Sequence, residues 1–295
     1  MFNSLYTTWQ MWCSPTSIRR WNTNWAKATV PVSVVEIAEG NRGRAMVGLP
    51  KETDPETILI AFRGVSEPMQ YLQTGKFWKT DFYGTEVHSG FLTNYKALEP
   101  GLVRGVRKAL RVCPRCNKLH MTGYSMGGAL AQLAIVDLRR KFPQLCGSII
   151  TFGSPRVGNK DFAQKLFPDS CCGTSRRVVH KGDRVAHLPP QIMGYRHVAF
   201  EWWNPGTSPS TRRSVIRNCD RHKRYGDTDR CSNSYHDFEF LPDHKVYLGI
   251  EFDKMHGCDA ERMAQLEDDD GYLNLPQGNG NGLLLRPSAT SANMA

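Results

Sequence analysis

The sequence lacks any run of about 18 apolar residues, the length that a membrane-spanning helix needs. It also lacks helix-turn-helix, zinc-finger and RNA-binding signatures, so its net charge of +10 is not accompanied by a nucleic-acid-binding motif. The densest basic stretch, at 212–230, contains three aspartates and is typical of a solvated loop; attraction to an anionic membrane surface is the alternative. We therefore expect no transmembrane segment and no nucleic-acid partner.

The nine cysteines do not have the paired Cys-x2-Cys or Cys/His spacing of a zinc site. The CPRC stretch at 113–116 precedes a predicted strand, whereas a thioredoxin-like redox site would open a helix. Many cysteines without a metal pattern favour disulfides and an oxidising compartment, and an odd number leaves at least one thiol unpaired. We interpret Cys146, within an apolar stretch, as a small buried hydrophobic residue.

The amino-terminal stretch gives a conflicting indication about the compartment. Residues 1–21 have neither a basic start nor a continuous apolar run, so no signal peptide is recognisable there. The cysteine usage favours secretion, while this stretch does not, and the sequence alone leaves the compartment open.

Predicted strands and helices alternate between residues 57 and 180, after a β-hairpin at 31–49. The strands are predicted at 57–62, 118–122, 147–152 and 176–180, and the helices at 93–112, 126–142 and 162–167. This alternation is typical of an α/β fold with a mostly parallel sheet and crossover helices. We predict one domain over 1–260, which includes an irregular insertion at 204–243, and a disordered tail over 261–295.

A Gly-x-Ser-x-Gly motif, Gly123 to Gly127, lies between a predicted strand and a predicted helix. This is the context of a nucleophile elbow, in which a strained turn projects the serine hydroxyl above the edge of the sheet. The two glycines are needed because strand and helix backbones approach closely there. The motif predicts Ser125 as a nucleophile; a glycine-rich turn that happens to contain a serine is the alternative.

A serine hydroxyl needs a base, and in α/β-hydrolases an acid and then a histidine follow it along the chain. Asp183 follows the strand at 176–180 and is a better acid candidate than Asp161 or Asp169. The later histidines are His187, His197, His222, His236, His244 and His256. His187 is too close to Asp183 in the chain, and His244 lies in a loop before an apolar segment. Spacing alone does not decide between the remaining histidines.

Six stretches, in this order, resemble motifs of the class 3 lipases, the fungal triacylglycerol lipase and feruloyl esterase family. They are ILIAFRG, VHSGF, TGYSMGGALAQLA, TFGSPRVGN, HKGDRVAHLPP and DHKVYLG, and they cover roughly residues 55–250. The resemblance implies an α/β-hydrolase fold with a lid. It further implies Ser125 as nucleophile, Asp183 as orienting acid and His244 as base, with no metal or organic cofactor.

The sequence departs from the family at the oxyanion hole, the set of N–H donors that binds the developing negative charge. The family has Ser or Thr after Phe-Arg-Gly, and this chain has Val65. Val65 keeps its backbone donor and Met126 would supply the second, but the hydroxyl is lost, with Ser66 as a candidate replacement. Losing one such donor costs about 3 kcal/mol, or ~100-fold in rate. We therefore expect weak activity or a pocket suited to another ester.

The stretch at 66–82 occupies the position of the family's lid, with Met69, Tyr71 and Leu72 along one side. Its apolar content favours a lipase over a feruloyl esterase; an amphipathic segment that caps the core is the alternative. Members of the family often join an amino-terminal cysteine to one near the carboxyl end, which suggests Cys13 with Cys258. A second suggested pair, Cys219 with Cys231, would close the irregular loop.

Together these observations predict a serine carboxylester hydrolase, namely a triacylglycerol lipase that acts at lipid–water interfaces through a Ser-Asp-His triad. The alternatives are a feruloyl-type or phospholipid esterase of the same family, or a catalytically impaired lipid-binding homologue in which Val65 is the first sign of decay. The disulfide pattern favours an extracellular location, and the sequence does not indicate an oligomeric state.

Overall fold

A computed structural model describes residues 1–51, 55–65, 77–166, 175–198, 200–206, 216–219, 226–227, 231–235, 242–252 and 257–258. The predicted lid residues Met69, Tyr71 and Leu72 lie outside these ranges, as do Ser66 and most of the predicted insertion. The predicted tail at 261–295 also lies outside them.

The centre of the molecule is an eight-stranded sheet with the strand order β1-β2-β3-β6-β7-β8-β9-β10. These strands are β1 (Val32–Gly40), β2 (Gly43–Pro50), β3 (Thr57–Phe62), β6 (Lys118–Tyr124), β7 (Cys146–Phe152), β8 (Ser175–His180), β9 (Glu201–Asn204) and β10 (Arg217–Asn218). The five strands from β3 to β9 run parallel, while β1, β2 and β10 are antiparallel to their neighbours. The predicted α/β-hydrolase sheet is confirmed.

Two small ribbons, seven α-helices and three single-turn 3-10 helices accompany the sheet in the described part of the chain. The ribbons pair β4 (Lys79–Asp81) with β5 (Glu86–His88), and β11 (Val246–Tyr247) with β12 (Ile250–Glu251). The helices are α1 (Phe2–Gln10), α2 (Pro15–Arg20), α3 (Asn24–Lys27), α4 (Ser89–Val112), α5 (Met126–Lys141), α6 (Lys160–Lys165) and α7 (Pro242–Lys245). Within the described ranges, no helix is both long and apolar enough to cross a bilayer.

Both faces of the sheet are covered, as the alternation of side chains along β3 illustrates. Ile58 and Ile60 face the cluster formed with α4 and α5, whereas Leu59 and Ala61 face the cluster that contains α1 and Tyr247. Successive side chains of a strand point to opposite faces, so a strand covered on both sides reads as one continuous apolar run. This explains why the predicted strand at 57–62 coincides with β3.

Helix α4 begins four residues before the predicted start at 93, because a histidine caps it. His88 Nδ1 accepts hydrogen bonds from the N–H groups of Gly90 and Phe91, at 3.1 and 3.4 Å. Histidine is not among the residues usually found at this position, so the start had no recognisable signal. Helices α1, α2 and α3 were not predicted either.

The suggested pairs Cys13–Cys258 and Cys219–Cys231 are both disulfides in the structure, and Cys113 is joined to Cys116. The interpretation of Cys146 as a buried hydrophobic residue is wrong, because this cysteine is disulfide-bonded and only partly buried. Cys146 is the first residue of β7 and is half-buried, so the core does not enclose it completely.

Candidate active site

Ser125 is the single residue between the end of β6 and the start of α5. Its backbone has φ 58° and ψ −132°, a sparsely populated conformation for a residue with a side chain. Such a conformation costs on the order of 1–3 kcal/mol and persists only where the surroundings impose it. The sharp turn places the serine at the carboxyl end of β6, as the elbow motif predicted.

The two flanking glycines of the motif are required by contact between backbones. A Cβ atom on Gly123 would lie 2.1 Å from the carbonyl oxygen of Gly127, and one on Gly127 would lie 2.4 Å from the carbonyl oxygen of Phe62. Because these obstacles are backbone atoms, a side chain at either position would force β6, α5 and β3 apart. The predicted close approach of strand and helix is confirmed.

Asp183 follows β8 and is completely buried. Its Oδ2 accepts hydrogen bonds from His244 Nδ1, at 2.8 Å, and from the Tyr247 hydroxyl, while its Oδ1 accepts one from the Val185 N–H at 2.9 Å. Burial alone would raise the pKa of this carboxyl group, but the charge and hydrogen bond of His244 and the hydrogen bond of Tyr247 outweigh it and lower the pKa. Asp183 is therefore an ionised hydrogen-bond acceptor.

His244 lies in α7, and its ring orientation is fixed on two sides. Since an ionised carboxylate only accepts, His244 Nδ1 carries the proton of its bond to Asp183, so in the neutral form of the imidazole Nε2 is the nitrogen with the lone pair. The ring stacks on Tyr124, with centroids 4.9 Å apart, and the His244 carbonyl accepts a hydrogen bond from the Tyr124 hydroxyl at 2.8 Å. The residue before the serine thus supports the histidine.

Ser125 and His244 are brought to the same place by shared neighbours. Tyr124 contacts the imidazole directly, and the Ser125 N–H donates to the carbonyl of Phe152 at 2.9 Å. The next residue, Gly153, adjoins the imidazole: a Cβ atom there would lie 2.9 Å from His244 Cε1. Among the described residues, Ser125 Oγ and His244 Nε2 are both buried and neither has a hydrogen-bond partner.

Two residues that the sequence analysis did not single out complete the surroundings of Asp183. Tyr247 donates its hydroxyl to the carboxylate, and Gly153 has φ 57° and makes room for it. A Cβ atom on Gly153 would lie 2.8 Å from Asp183 Oδ2 and 2.7 Å from the Tyr247 oxygen. Both residues fall within the quoted motifs TFGSPRVGN and DHKVYLG, which was the available signal.

Arg156 holds the loop that follows Asp183, which we call the acid loop (residues 183–190). Its guanidinium donates to the carbonyls of His187 and Pro189, the latter at 3.0 Å, and its backbone N–H donates to the Leu188 carbonyl at 2.8 Å. The arginine is 3% exposed and forms an ion pair with Asp227 at 3.0 Å. Its charge is thus compensated while it fixes three consecutive carbonyls of the loop.

Two other histidine candidates also support the acid loop. His187 Nδ1 donates to the backbone carbonyl of Asp183 at 2.7 Å, and His197 Nε2 donates to that of Ala186 at 2.6 Å. Burial lowers the pKa of both histidines, for His197 to well below its usual range with further lowering by Arg177. Neither histidine forms a described hydrogen bond with the Asp183 carboxylate. His222, His236 and His256 lie outside the described residues.

Met126, one of the two residues predicted for the oxyanion hole, directly follows the serine, and Val65, the other, directly follows Gly64. Met126 is the first residue of α5, where backbone N–H groups have no acceptor within the helix. Gly64, which precedes Val65, passes so close that a Cβ atom there would lie 3.0 Å from Ser125 Cβ. The structure therefore places both backbone segments beside the serine.

Potential metal ligands are grouped at one place in the described part of the chain, where Glu201 adjoins Cys219 and Cys231. The two sulfur atoms are joined to each other in a disulfide, so neither is a thiolate that could bind a metal ion. This group surrounds β9 and does not include a residue of the Ser125 site.

Comparison with known proteins gives a consistent picture. Residues 59–193 match the family described as lipase (class 3). The chain is 34% identical over 201 residues to a lipase of Rhizomucor miehei, covering 66% of this chain and 53% of that one. It is 35% identical over 202 residues to a lipase of Rhizopus niveus, covering 66% of this chain and 48% of that one. The chain thus spans about half the length of these curated relatives.

Solved structures agree over a larger part of the chain. A triacylglycerol lipase whose catalytic centre is a serine protease triad superposes with a TM-score of 0.74 and 29% identity, covering 88% of this chain and 95% of that one. A lipase from Rhizopus microsporus var. chinensis superposes with a TM-score of 0.73 and 29% identity, covering 84% of this chain and 86% of that one. A further sequence relative, 40% identical over 124 residues (42% of this chain, 35% of that one), is a secreted mono- and diacylglycerol lipase of Fusarium solani.

Proposed function

Because the chain belongs to the class 3 lipase family, we propose that it is a triacylglycerol lipase that hydrolyses esters at lipid–water interfaces. The observation that carries this proposal is the hydrogen bond between Asp183 and His244. His244 Nε2 and the Ser125 hydroxyl are both buried, neither has a hydrogen-bond partner among the described residues, and the two residues share Tyr124 and the backbone at 152–153 as neighbours. A base with a free lone pair next to a free hydroxyl is the arrangement that serine catalysis needs.

In this proposal Ser125 Oγ attacks the ester carbonyl carbon while His244 Nε2 takes its proton. The negative charge that develops on the carbonyl oxygen is bound by the backbone N–H groups of Val65 and Met126. The imidazolium, stabilised by Asp183, then protonates the departing alcohol, which leaves an acyl group on Ser125. Water, deprotonated by His244, attacks the acyl carbon and releases the acid, and the proton returns to the serine.

Covalent labelling tests the nucleophile. A fluorophosphonate probe should label the wild-type protein once, at Ser125, and should not label Ser125→Ala. Tyr124→Phe is a suitable control, because it lacks the neighbouring hydroxyl but keeps the serine. Absence of labelling in the wild-type protein would refute the proposed enzyme and favour a catalytically impaired lipid-binding homologue.

Hydrolysis of p-nitrophenyl esters of increasing acyl length tests the substrate class. A lipase should show a rise in rate as the ester concentration passes its solubility limit, because the substrate then forms an interface. A preference for soluble short or aromatic esters would instead identify an esterase of the same family, for which the loss of a hydroxyl at Val65 is the supporting observation. Comparing phospholipid vesicles with triacylglycerol emulsions would separate a phospholipase from a lipase.

We also propose that the protein acts outside the cell. Three disulfides join described cysteines, and disulfides of this kind persist in oxidising compartments. The Fusarium solani relative is named as a secreted lipase. Detection of the protein in culture medium, with no free thiol at Cys13 or Cys258 until a reductant is added, is the expected result.

A further inference from the structure

A cavity of about 530 Å³ lies between α2, α3 and the start of β1. Two arginines and two lysines line it, namely Arg19, Arg20, Lys27 and Lys51. Its other lining residues are uncharged, so within the described chain no carboxylate faces these four cations. Four like charges around one opening create a local positive potential that attracts anions.

The four cations also lack ion-pair partners among the residues that the structure describes. Some other exposed cations are paired, for example Lys108 with Glu36 at 2.5 Å. Arg19, Arg20 and Lys27 lie in the last turns of α2 and α3, where they offset the negative helix ends. Lys51 lies on neither helix, so helix ends do not account for the whole group.

The backbone around the cavity is held by hydrogen bonds. The Ser14 hydroxyl accepts a hydrogen bond from the Ser17 N–H at the start of α2. The Thr23 hydroxyl accepts one from the Ala26 N–H at the start of α3. The Lys51 N–H donates to the Pro31 carbonyl at 2.9 Å, which ties the end of β2 to the segment before β1. The cations therefore project from fixed points, and binding an anion would order only their side chains.

The cavity is far from the serine in the topology of the sheet. Val32, at the start of β1, pairs with Pro50 at the end of β2, and β2 runs antiparallel to β3. The cavity thus lies near the amino-terminal ends of the parallel strands. Ser125 follows the carboxyl end of β6, at the opposite edge. A ligand in the cavity would leave the candidate active site open.

We propose that this cavity is a binding site for a phosphate group, carried either by a soluble phosphate or by an anionic lipid. The adjacent Arg19 and Arg20 offer planar forks that suit phosphate oxygens, and the lysines add charge from the other walls. The four positive charges exceed the single negative charge of a carboxylate ligand, which favours a phosphate group. The half-buried Trp21 and the apolar Ala26 and Val32 provide contact for an uncharged remainder of the ligand.

The test compares a site variant with a matched control in the full-length protein. The site variant replaces the four cavity cations with glutamine, and the control makes the same change at Arg42, Arg107, Arg111 and Arg115, which are exposed elsewhere. Binding is measured by calorimetry with inorganic phosphate, and by sedimentation with ether-linked phosphatidylcholine vesicles that contain or lack ether-linked phosphatidic acid. Ether lipids contain no carboxylic ester that the proposed lipase activity could hydrolyse.

We expect the site variant to bind the phosphate probe at least tenfold more weakly, while the control stays within threefold of the wild-type protein. Loss of inorganic phosphate binding would identify a soluble ligand, and loss confined to phosphatidic acid vesicles would identify a lipid. Equal losses in both variants, or no phosphate-dependent binding by the wild-type protein, would overturn the proposal.

Folding and activity are checked separately. Circular dichroism and hydrolysis of a soluble ester should be unchanged in the site variant, because the cavity does not adjoin Ser125. If the fourfold variant does not fold, Arg19→Gln/Arg20→Gln is compared with Arg107→Gln/Arg111→Gln by the same measurements. The proposal does not depend on the proposed lipase activity, since binding is measured without a hydrolysable substrate.

Discussion

In the proposed oxyanion hole, Val65 would provide a backbone N–H but no hydroxyl, since its side chain is purely aliphatic. The Val65→Ser variant should raise kcat toward soluble esters, by ~10–100-fold, because a second donor from the same residue would bind the developing oxyanion. KM should change little, since this hydrogen bond strengthens only in the transition state.

Val65→Ala is the matched control for this substitution, because it reduces the side chain without adding a donor. Steady-state kinetics of both variants on one soluble ester distinguish the two effects. A gain in the alanine variant as large as in the serine variant would mean that side-chain bulk, and not the missing hydroxyl, limits the rate.

His88, which caps α4, is 4% exposed, and burial lowers its pKa to about 4. In the unfolded chain the imidazole takes up a proton near its ordinary pKa of about 6.5, which the folded protein resists. Its contribution to stability is therefore complete above about pH 6.5 and is lost as the pH falls toward 4.

The His88→Asn variant keeps a capping acceptor but does not titrate. The free energy of unfolding of the wild-type protein should fall by about 3 kcal/mol more than that of the variant between pH 7 and pH 4. Urea unfolding at intervals across this range measures the difference. Parallel pH profiles for the two proteins would contradict the assignment.

At the scale of elements, the acid loop depends on a side chain that does not reach the reacting atoms. Arg156→Lys should keep a charge for Asp227 but lose the simultaneous hydrogen bonds to the His187 and Pro189 carbonyls. We expect kcat on a soluble ester to fall about tenfold, the equivalent of one hydrogen bond to a charged group, with little change in KM.

Arg196→Lys provides the comparison for this variant. Arg196 also donates to two backbone carbonyls, those of Gln191 and Tyr195, but both lie beyond the acid loop. The kcat of Arg196→Lys should stay within about twofold of the wild-type value, since the loss of a surface interaction changes little. A similar fall in kcat for both variants would mean that Arg156 stabilises the fold generally and has no particular effect on Asp183.

The elements that could be predicted are those whose signal lies within one stretch of chain. β3 is a continuous apolar run, and α5 directly follows the glycine motif. α2 and α3 were missed because they have only six and four residues, and their stability derives from distant contacts such as that of Trp25 with Phe252. Short helices rarely have enough intrinsic propensity to be recognised without such contacts.

The same distinction applies to the candidate site, where some residues have a signal nearby in the chain and others do not. Ser125 and Asp183 could be singled out from the residues next to them in the chain. His244 could not, because the residues that hold its ring, Asp183 and Tyr124, are 61 and 120 positions away. Only the resemblance to the class 3 lipases pointed to this histidine, and the catalytic roles of all three residues remain predictions.

For the whole molecule, the three described disulfides should differ greatly in their effect on stability. Cys13 and Cys258 are 245 positions apart, whereas Cys113 and Cys116 are separated by three. In the chain-entropy model, closing the long loop contributes about 5 kcal/mol and closing the short one about 2 kcal/mol. Cys13→Ser/Cys258→Ser should therefore lower the free energy of unfolding far more than Cys113→Ser/Cys116→Ser.

Urea unfolding of the two double variants measures these contributions. The short-loop variant serves as the control for removal of two cysteines, because it loses one disulfide as well. Equal losses of stability would show that the Cys13–Cys258 bond acts through local packing around α1 and α3 and not through its constraint on the unfolded chain.

The separation of Cys13 from Cys258 also sets an order of events during biosynthesis. The Cys113–Cys116 bond can form as soon as both residues reach an oxidising compartment, even before Cys258 has been synthesised. The Cys13–Cys258 bond must wait until nearly all of the domain has been synthesised. During this interval the amino-terminal helices are held only by noncovalent contacts. We therefore expect these helices to be more accessible to proteases and chaperones in the nascent protein than in the oxidised protein.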